Sequence, residues 1–563
     1  MSHTKNAEDL MDTTASGAGE TRTPLTSPTS IHPVAETAME TADRLRNRPG
    51  SVFWASITLI GAFTIWASAS PESLSGVMTA AMDWVAQSIG WSYLVVTLGC
   101  IGLLVYIGTS RFGRIRLGAQ DAKPEFSTWA WLAMILSAVM GIGLISYGVA
   151  EPISHFASPP HGLAEAGTME AAVRAMQFSY FDWGPHAWAV FGVFGLAIAY
   201  STHCRNNAGL VSPMLRPIFG KLVDGWFGKM IDVFAIIATL FGTTTSLGLG
   251  ASQIGEGVDR VLGIPSNLLG QIIIIAVITV LFTLSALSGV HKGIKYLSQT
   301  TMVLSASLGL YVLFTGPTNF ISNLFFRSLG QYSSEFFAVS LMTPSTPEEV
   351  QWMQWWTYFM MAWWLSWGAF VGVFLAKISK GRTIRQFVAG VMIVPSVVFF
   401  AWFTIFGGSA IKFDMENGGQ IGAAALEDVN SAFFATLAEL PMSGITSVVS
   451  ILLVVMYFVS GADANTFVLS MMSSRGTLKP TKPILATWGL LTGLCAVVLL
   501  IVGGLGALQQ AAMLSALPFT VIVALLGVGL VMELRNDPRF ERTRVLTQSD
   551  LNKLVDAEPG TRK

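Results

Sequence analysis

The chain is a succession of apolar runs, each about twenty residues long and parted by short polar loops, and this restricts it to one class of fold. The runs fall near 52–71, 89–108, 128–148, 180–201, 231–252, 267–288, 299–316, 354–376, 385–407, 443–462, 482–504 and 512–533. A helix of about 20 apolar residues crosses the hydrocarbon core of a bilayer, and in lipid every backbone N–H and C=O must find a partner within its own segment. The expected fold is therefore an all-α membrane protein with about twelve transmembrane helices. Only 12% of the 563 residues are charged, against about 25% in soluble proteins.

Basic residues in the short loops give the orientation. Arg44, Arg46 and Arg48 precede the first run, Arg111, Arg114 and Arg116 follow the second, and Lys377, Lys380, Arg382 and Arg385 follow the eighth. Alternate loops are poor in Lys and Arg, so both termini are expected in the cytoplasm of a cell, with the chain in its plasma membrane, a bacterial one. A net charge of -1 leaves no basic excess for a nucleic acid, which removes that class of partner. Cys100, Cys204 and Cys495 have no metal-ligand spacing. No nucleophile and base stand at usable spacing either, so an enzyme is not expected.

Two features mark function within the runs. Trp188, Trp363, Trp364 and Trp367 fall near mid-membrane, whereas tryptophan ordinarily belongs to the interfacial belts. Aromatic faces gathered at that depth are suited to hold a quaternary ammonium ion. Counted from an entry near residue 180, Trp183 lies roughly 5 Å inside and could be a belt residue; Trp363 is the one expected merely to pack. The third run is interrupted by Met140-Gly141-Ile142-Gly143, and the eighth carries Ser366-Trp367-Gly368-Ala369 at similar depth. Matching weak spots point to broken helices around a midplane site. Asp182 reads either as an attractor at the outer entrance or as a cap for the fourth helix.

The stretches MGIGLISYGVAEP (140–152), WGPHAW (183–188) and AWWLSWGAFVGVFLAKISKGRTIRQF (362–387) resemble the betaine/carnitine/choline transporter family. The resemblance implies a leucine-transporter-like fold with two inverted five-helix repeats, spans 3–7 and 8–12. It divides the chain into a disordered cytoplasmic tail (1–50), two additional N-terminal transmembrane helices (51–127), the first repeat (128–316), an extracytoplasmic loop (317–353), the second repeat (354–533) and a cytoplasmic tail (534–563). The implied function is secondary import of a betaine-type quaternary ammonium or zwitterionic compatible solute, with osmoprotection as its purpose.

By the same resemblance Trp183, Trp188, Phe191 and Trp364 form an aromatic box, with Trp363 and Trp367 along the adjacent path. Backbone amides at Met140, Gly141, Ile142 and Gly143 meet a substrate carboxylate. A sodium ion is expected among Thr239, Thr243 and Phe370, and a second among carbonyls of Ala138 and Met140 with Ser460, although Gly461 stands where a second hydroxyl belongs. Sodium is the implied coupling ion and no other cofactor is. A proton-coupled or exchange transporter of choline or carnitine, an importer of dimethylsulfoniopropionate or ectoine, and a transport-inactive membrane sensor remain open. Besides the solute and the lipid bilayer, the resemblance implies a homotrimer.

Overall fold

A computed structural model describes residues 49–288 and 291–539; the rest of both expected tails lies outside these. Its helices of nine residues or more are, in order, α1 Ser51–Ala69, α2 Pro71–Ser88, α3 Trp91–Thr109, α4 Thr128–Val139, α5 Ile142–Ala157, α6 Met169–Trp183, α7 Pro185–Arg205, α8 Trp226–Leu262, α9 Leu268–Ser288, α10 His291–Thr315, α11 Thr318–Ser334, α12 Pro347–Trp355, α13 Thr357–Ile378, α14 Ile384–Glu416, α15 Ser443–Ser473 and α16 Lys482–Arg535. Among the described residues the only β pairing is one isolated bridge between Arg116 and Thr383. The fold is all-α, as the unbroken apolar runs require.

Every expected span falls on a helix, but the count differs. Nine described helices are long and apolar enough to cross a membrane, or up to eleven when each bent pair is one span. The expected spans 482–504 and 512–533 share one element, the 54-residue α16. A straight helix of that length would reach about 80 Å, more than twice the ~30 Å hydrocarbon core. Helical geometry fails at Gly503 and Gly504, the latter at φ 61° and ψ -147°, and this break separates the two halves.

Burial sorts the helices. In α8, 89% of the most apolar window is buried, against 28% in α1 and in α9. An apolar helix enclosed on all sides belongs to the centre of a bundle, and one exposed along most of its surface faces lipid. Trp54 and Ile65 of α1 and Ile273 and Leu284 of α9 are accordingly exposed.

Three breaks near the buried centre position the site. Between α4 and α5 the axis turns by 68° through Met140 (ψ 106°) and Gly141 (φ -145°, ψ -162°), as the MGIG run suggests. Between α6 and α7, Gly184 interrupts a single 37-residue apolar stretch. Pro185 lacks an N–H and disfavours helix in the residue before it, while any side chain at Gly184 would run into the Tyr180 carbonyl and the Phe400 ring. The third break is at Trp356 (φ -114°, ψ -90°) between α12 and α13.

That third break corrects an expectation. Ser366-Trp367-Gly368-Ala369 lies within continuous α13. Gly368 instead faces the ring of Phe194 on α7, where a Cβ would overlap it; the glycine serves close helix packing. The expected loop 317–353 is also largely helical, since α11 and α12 occupy most of it and α10 and α11 meet at 107°.

Candidate functional site

The break between α4 and α5 opens onto a cavity of about 150 Å³. Met140, Gly141, Ile142 and Gly143 line one side. Trp183 and the α13 side chains Trp363, Trp364, Trp367 and Phe370 line another, and Thr243 of α8 with Ser460 of α15 contribute hydroxyls. Since Trp363 and Trp367 lie one turn apart on the same face, α13 presents a column of rings. Trp363 stacks on Trp364 at 5.3 Å and 18°, and Trp183 meets Trp364 edge to face at 4.8 Å.

Each of three indoles spends its single N–H on the protein. Trp364 donates to the Asp182 carbonyl at 2.7 Å, Trp363 to the Gly242 carbonyl at 3.2 Å, and Trp183 to the Glu151 carboxyl at 2.6 Å. An indole has no second donor, so these rings offer their faces, where the quadrupole is negative. Gly143 makes the assembly sterically feasible: a Cβ there would lie 2.9 Å from Trp183 and 3.1 Å from Trp363.

Beside these rings, α5 begins at Ile142 without a side-chain cap. The first N–H groups of a helix have no partner within it, and the helix dipole favours negative charge there. The cavity thus combines ring faces suited to a cation with a helix N-terminus suited to an anion. Among its described lining residues there is no Asp, Glu, Lys or Arg.

Not every expected residue borders this space. Trp188 and Phe191 are completely buried and sit behind the cage, with Phe191 edge-on to Trp364 at 6.0 Å and Trp188 edge-on to Phe191 at 5.8 Å. Trp363, which the resemblance put along the adjacent path and helical phase alone would leave to packing, lines the cavity. Trp183 is 3% exposed and no belt residue, because its helix begins at Met169 rather than near residue 180. For the same reason Asp182 can be neither an entrance residue nor an N-cap: it is fully buried in the last turn of α6.

Of the expected sodium ligands, Thr243 donates from Oγ1 to the Thr239 carbonyl at 2.9 Å, whereas Thr239 Oγ1 is buried with no partner. Phe370 packs edge-on to Trp367 at 5.6 Å. Ala138 lies in the last turn of α4, beside Met140. Ser460 back-bonds to Tyr457 O at 3.2 Å. Sequence reasoning overlooked Ser246, Phe374 and Asn465 along the same wall; Ser246, three residues after Thr243, was accessible to a helical-face argument, but Asn465 was not.

Residues 51–539 match the profile of the betaine/carnitine/choline family transporters. The chain belongs to that family. It is 44% identical over 491 residues to the glycine betaine transporter OpuD of Bacillus subtilis, covering 87% of this chain and 95% of the relative. It is 40% identical to the betaine/ectoine transporter LcoP of Corynebacterium glutamicum, covering 91% and 82% of the two chains. It is also 40% identical to an ectoine/hydroxyectoine transporter of Virgibacillus pantothenticus, covering 84% and 94%. As a member of the betaine/carnitine/choline family, the protein is a multi-pass membrane transporter and not an enzyme.

Proposed function

We propose that this transporter imports a betaine-type zwitterionic compatible solute by sodium symport, through alternating access in a leucine-transporter-like fold. The observation that carries the reading is the pairing, across one cavity, of Trp183, Trp363, Trp364 and Trp367 with the uncapped start of α5. A quaternary ammonium group meets ring faces while its carboxylate meets backbone N–H donors. The absence of an acidic side chain among the described lining residues favours a zwitterion, which brings its own counter-charge, over choline. At about 150 Å³ the cavity falls below the ~300–1,000 Å³ of drug-sized sites, in keeping with a small solute.

For sodium, the unpartnered Thr239 hydroxyl and the Thr243 hydroxyl, which keeps its acceptor lone pairs while donating, supply the oxygen donors a hard cation needs. The cavity extends along α13 as far as Phe374 and along α15 to Asn465. In the other direction it ends at an aromatic layer in which Tyr147 packs against Trp183, Trp356 and Phe359. On the proposed orientation, with both termini cytoplasmic, the aromatic layer lies on the exterior side of the cavity.

The test is uptake of labelled glycine betaine into proteoliposomes under an inward sodium gradient, with ectoine as competitor. Saturable, sodium-dependent uptake is expected. Failure to take up any zwitterion would overturn the reading, and ectoine uptake without glycine betaine uptake would favour the ectoine reading suggested by two of the relatives' names.

A further inference from the structure

One indole away from the cavity lies a group of ionisable side chains that the transport reading does not use. Glu151 and His155 stand one turn apart on α5, and Asp182 lies in the last turn of α6. One ligand atom of each lies within 4.8 Å of those of the other two, with His155 Nε2 3.8 Å from Glu151 Oε1. All three residues are 0% exposed. Glu151 Oε1, both Asp182 oxygens and both nitrogens of His155 make no hydrogen bond of normal geometry. The hydroxyls of Ser179 and Thr357 are their polar neighbours.

Among the described residues no Lys or Arg pairs with either carboxyl. Tyr147 of α5 is the titratable neighbour of Glu151, and Tyr332 of α11 that of Asp182. From α12, Trp352 packs on His155 at 5.0 Å, and Trp356 from the break after it at 4.7 Å; Phe178 of α6 lies at 6.2 Å. The pair His161 and Glu349, 3.5 Å apart, lies beyond the Phe178 and Trp352 rings. On α14 no acidic or basic described side chain bonds to the group. Two carboxylates this close in a low-dielectric span cannot both be ionised without a compensating positive charge.

We propose that Glu151 and Asp182, with His155 beside them, form a buried site for one shared proton directly behind the cage. A proton passes between carboxyl and hydroxyl groups without an open coordination volume, which suits an enclosure sealed by aromatic rings. Trp183 carries the state of the site to the cavity. Its N–H donates to Glu151 Oε2 at 2.6 Å, and a hydrogen bond to an ionised carboxylate is stronger than one to a neutral carboxyl. Moving the proton from Asp182 onto Glu151 therefore loosens the indole. This last consequence for the solute rests on the cavity being the solute site; the proton site itself does not.

Infrared spectroscopy of the purified full-length protein in D2O tests the site without any solute. The expected result is a protonated-carboxyl C=O band at pH 7 that disappears on alkaline titration and that shifts in frequency in both Glu151→Gln and Asp182→Asn, because the carboxyl left alone in the apolar enclosure keeps a proton that it no longer shares. No such band in the wild type overturns the proposal, as does a band that either variant leaves unchanged, which would mark an ordinary isolated buried acid. Stoichiometric divalent metal in elemental assay of the wild type, with the band absent, would make the occupant a metal ion and equally overturn it. Should one variant misfold, the wild-type band and its titration still decide, with the surviving variant as the second reading.

Discussion

Trp364 joins the cavity rings to the layer behind them: it stacks on Trp363, receives the edge of Trp183, is backed by Phe191 and is fixed by its N–H to the Asp182 carbonyl. Trp364→Leu removes a cation-facing ring and leaves that carbonyl without its donor. A desolvated cation–π contact is worth about 2 kcal/mol or more, so glycine betaine binding, followed by tryptophan fluorescence, is expected to weaken at least ~30-fold. An unchanged affinity would remove Trp364 from the site. Thr243→Ala deletes a cavity hydroxyl whose only described bond is to its own helix. It should raise the sodium concentration for half-maximal uptake several-fold with little change in thermal stability; a stability loss with an unaltered sodium curve would assign the hydroxyl to the helix alone.

Among the elements, α16 depends on its break. Gly504 has φ 61° and ψ -147°, and a Cβ at this position would have no neighbour within 4 Å, so a substitution there meets no clash and costs only backbone strain. Gly504→Ala is expected to destabilise the protein by about 1–3 kcal/mol, read as a lower midpoint of thermal unfolding in detergent. A midpoint unchanged from wild type would mean that the α16 halves can meet at another angle. The α6–α7 break was partly legible, because WGPHAW places glycine and proline together. The start of α6 was not, since Glu170 and Arg174 interrupt the apolar pattern ahead of residue 180. Arg174 pairs with Glu335 at the end of α11, and that tertiary partner lets the helix begin a full eleven residues sooner than the apolar run.

At the scale of the molecule, the end of α16 is tied to two distant segments. Arg539 donates to the carbonyls of Arg116 and Gly118 at 3.0 and 2.7 Å and to Asp537 at 2.6 Å, and the Tyr200 hydroxyl donates to Asp537 at 2.7 Å. Burial alone would push the Asp537 carboxyl up, but the hydrogen bonds from Arg539 and Tyr200 outweigh it and hold the carboxyl below its ordinary value. The sign follows: this stabilisation is complete above the unfolded carboxylate value of about 3.9 and is lost as pH falls through the lower folded value. Asp537→Asn should cost about 1 kcal/mol at pH 7 after allowing for solvent screening, with the difference from wild type shrinking in acid. Parallel unfolding midpoints across that pH range would show that Asp537 carries none of it.

The apolar runs, the glycines of MGIG and the clustered tryptophans of α13 were enough to determine an all-α membrane transporter, because each of those signals acts within one helix: length against bilayer thickness, glycine against helical dihedrals, Trp363 against Trp367 one turn apart. Tertiary structure alone decided that Trp363 faces the cavity while Trp188 and Phe191 stand behind it, that Ser366–Ala369 is continuous helix, and that Asp182 lies against Glu151 and His155. Those are relations between helices, set by which faces pack together, and the spacing of residues along one chain does not encode the rotation of one helix against another.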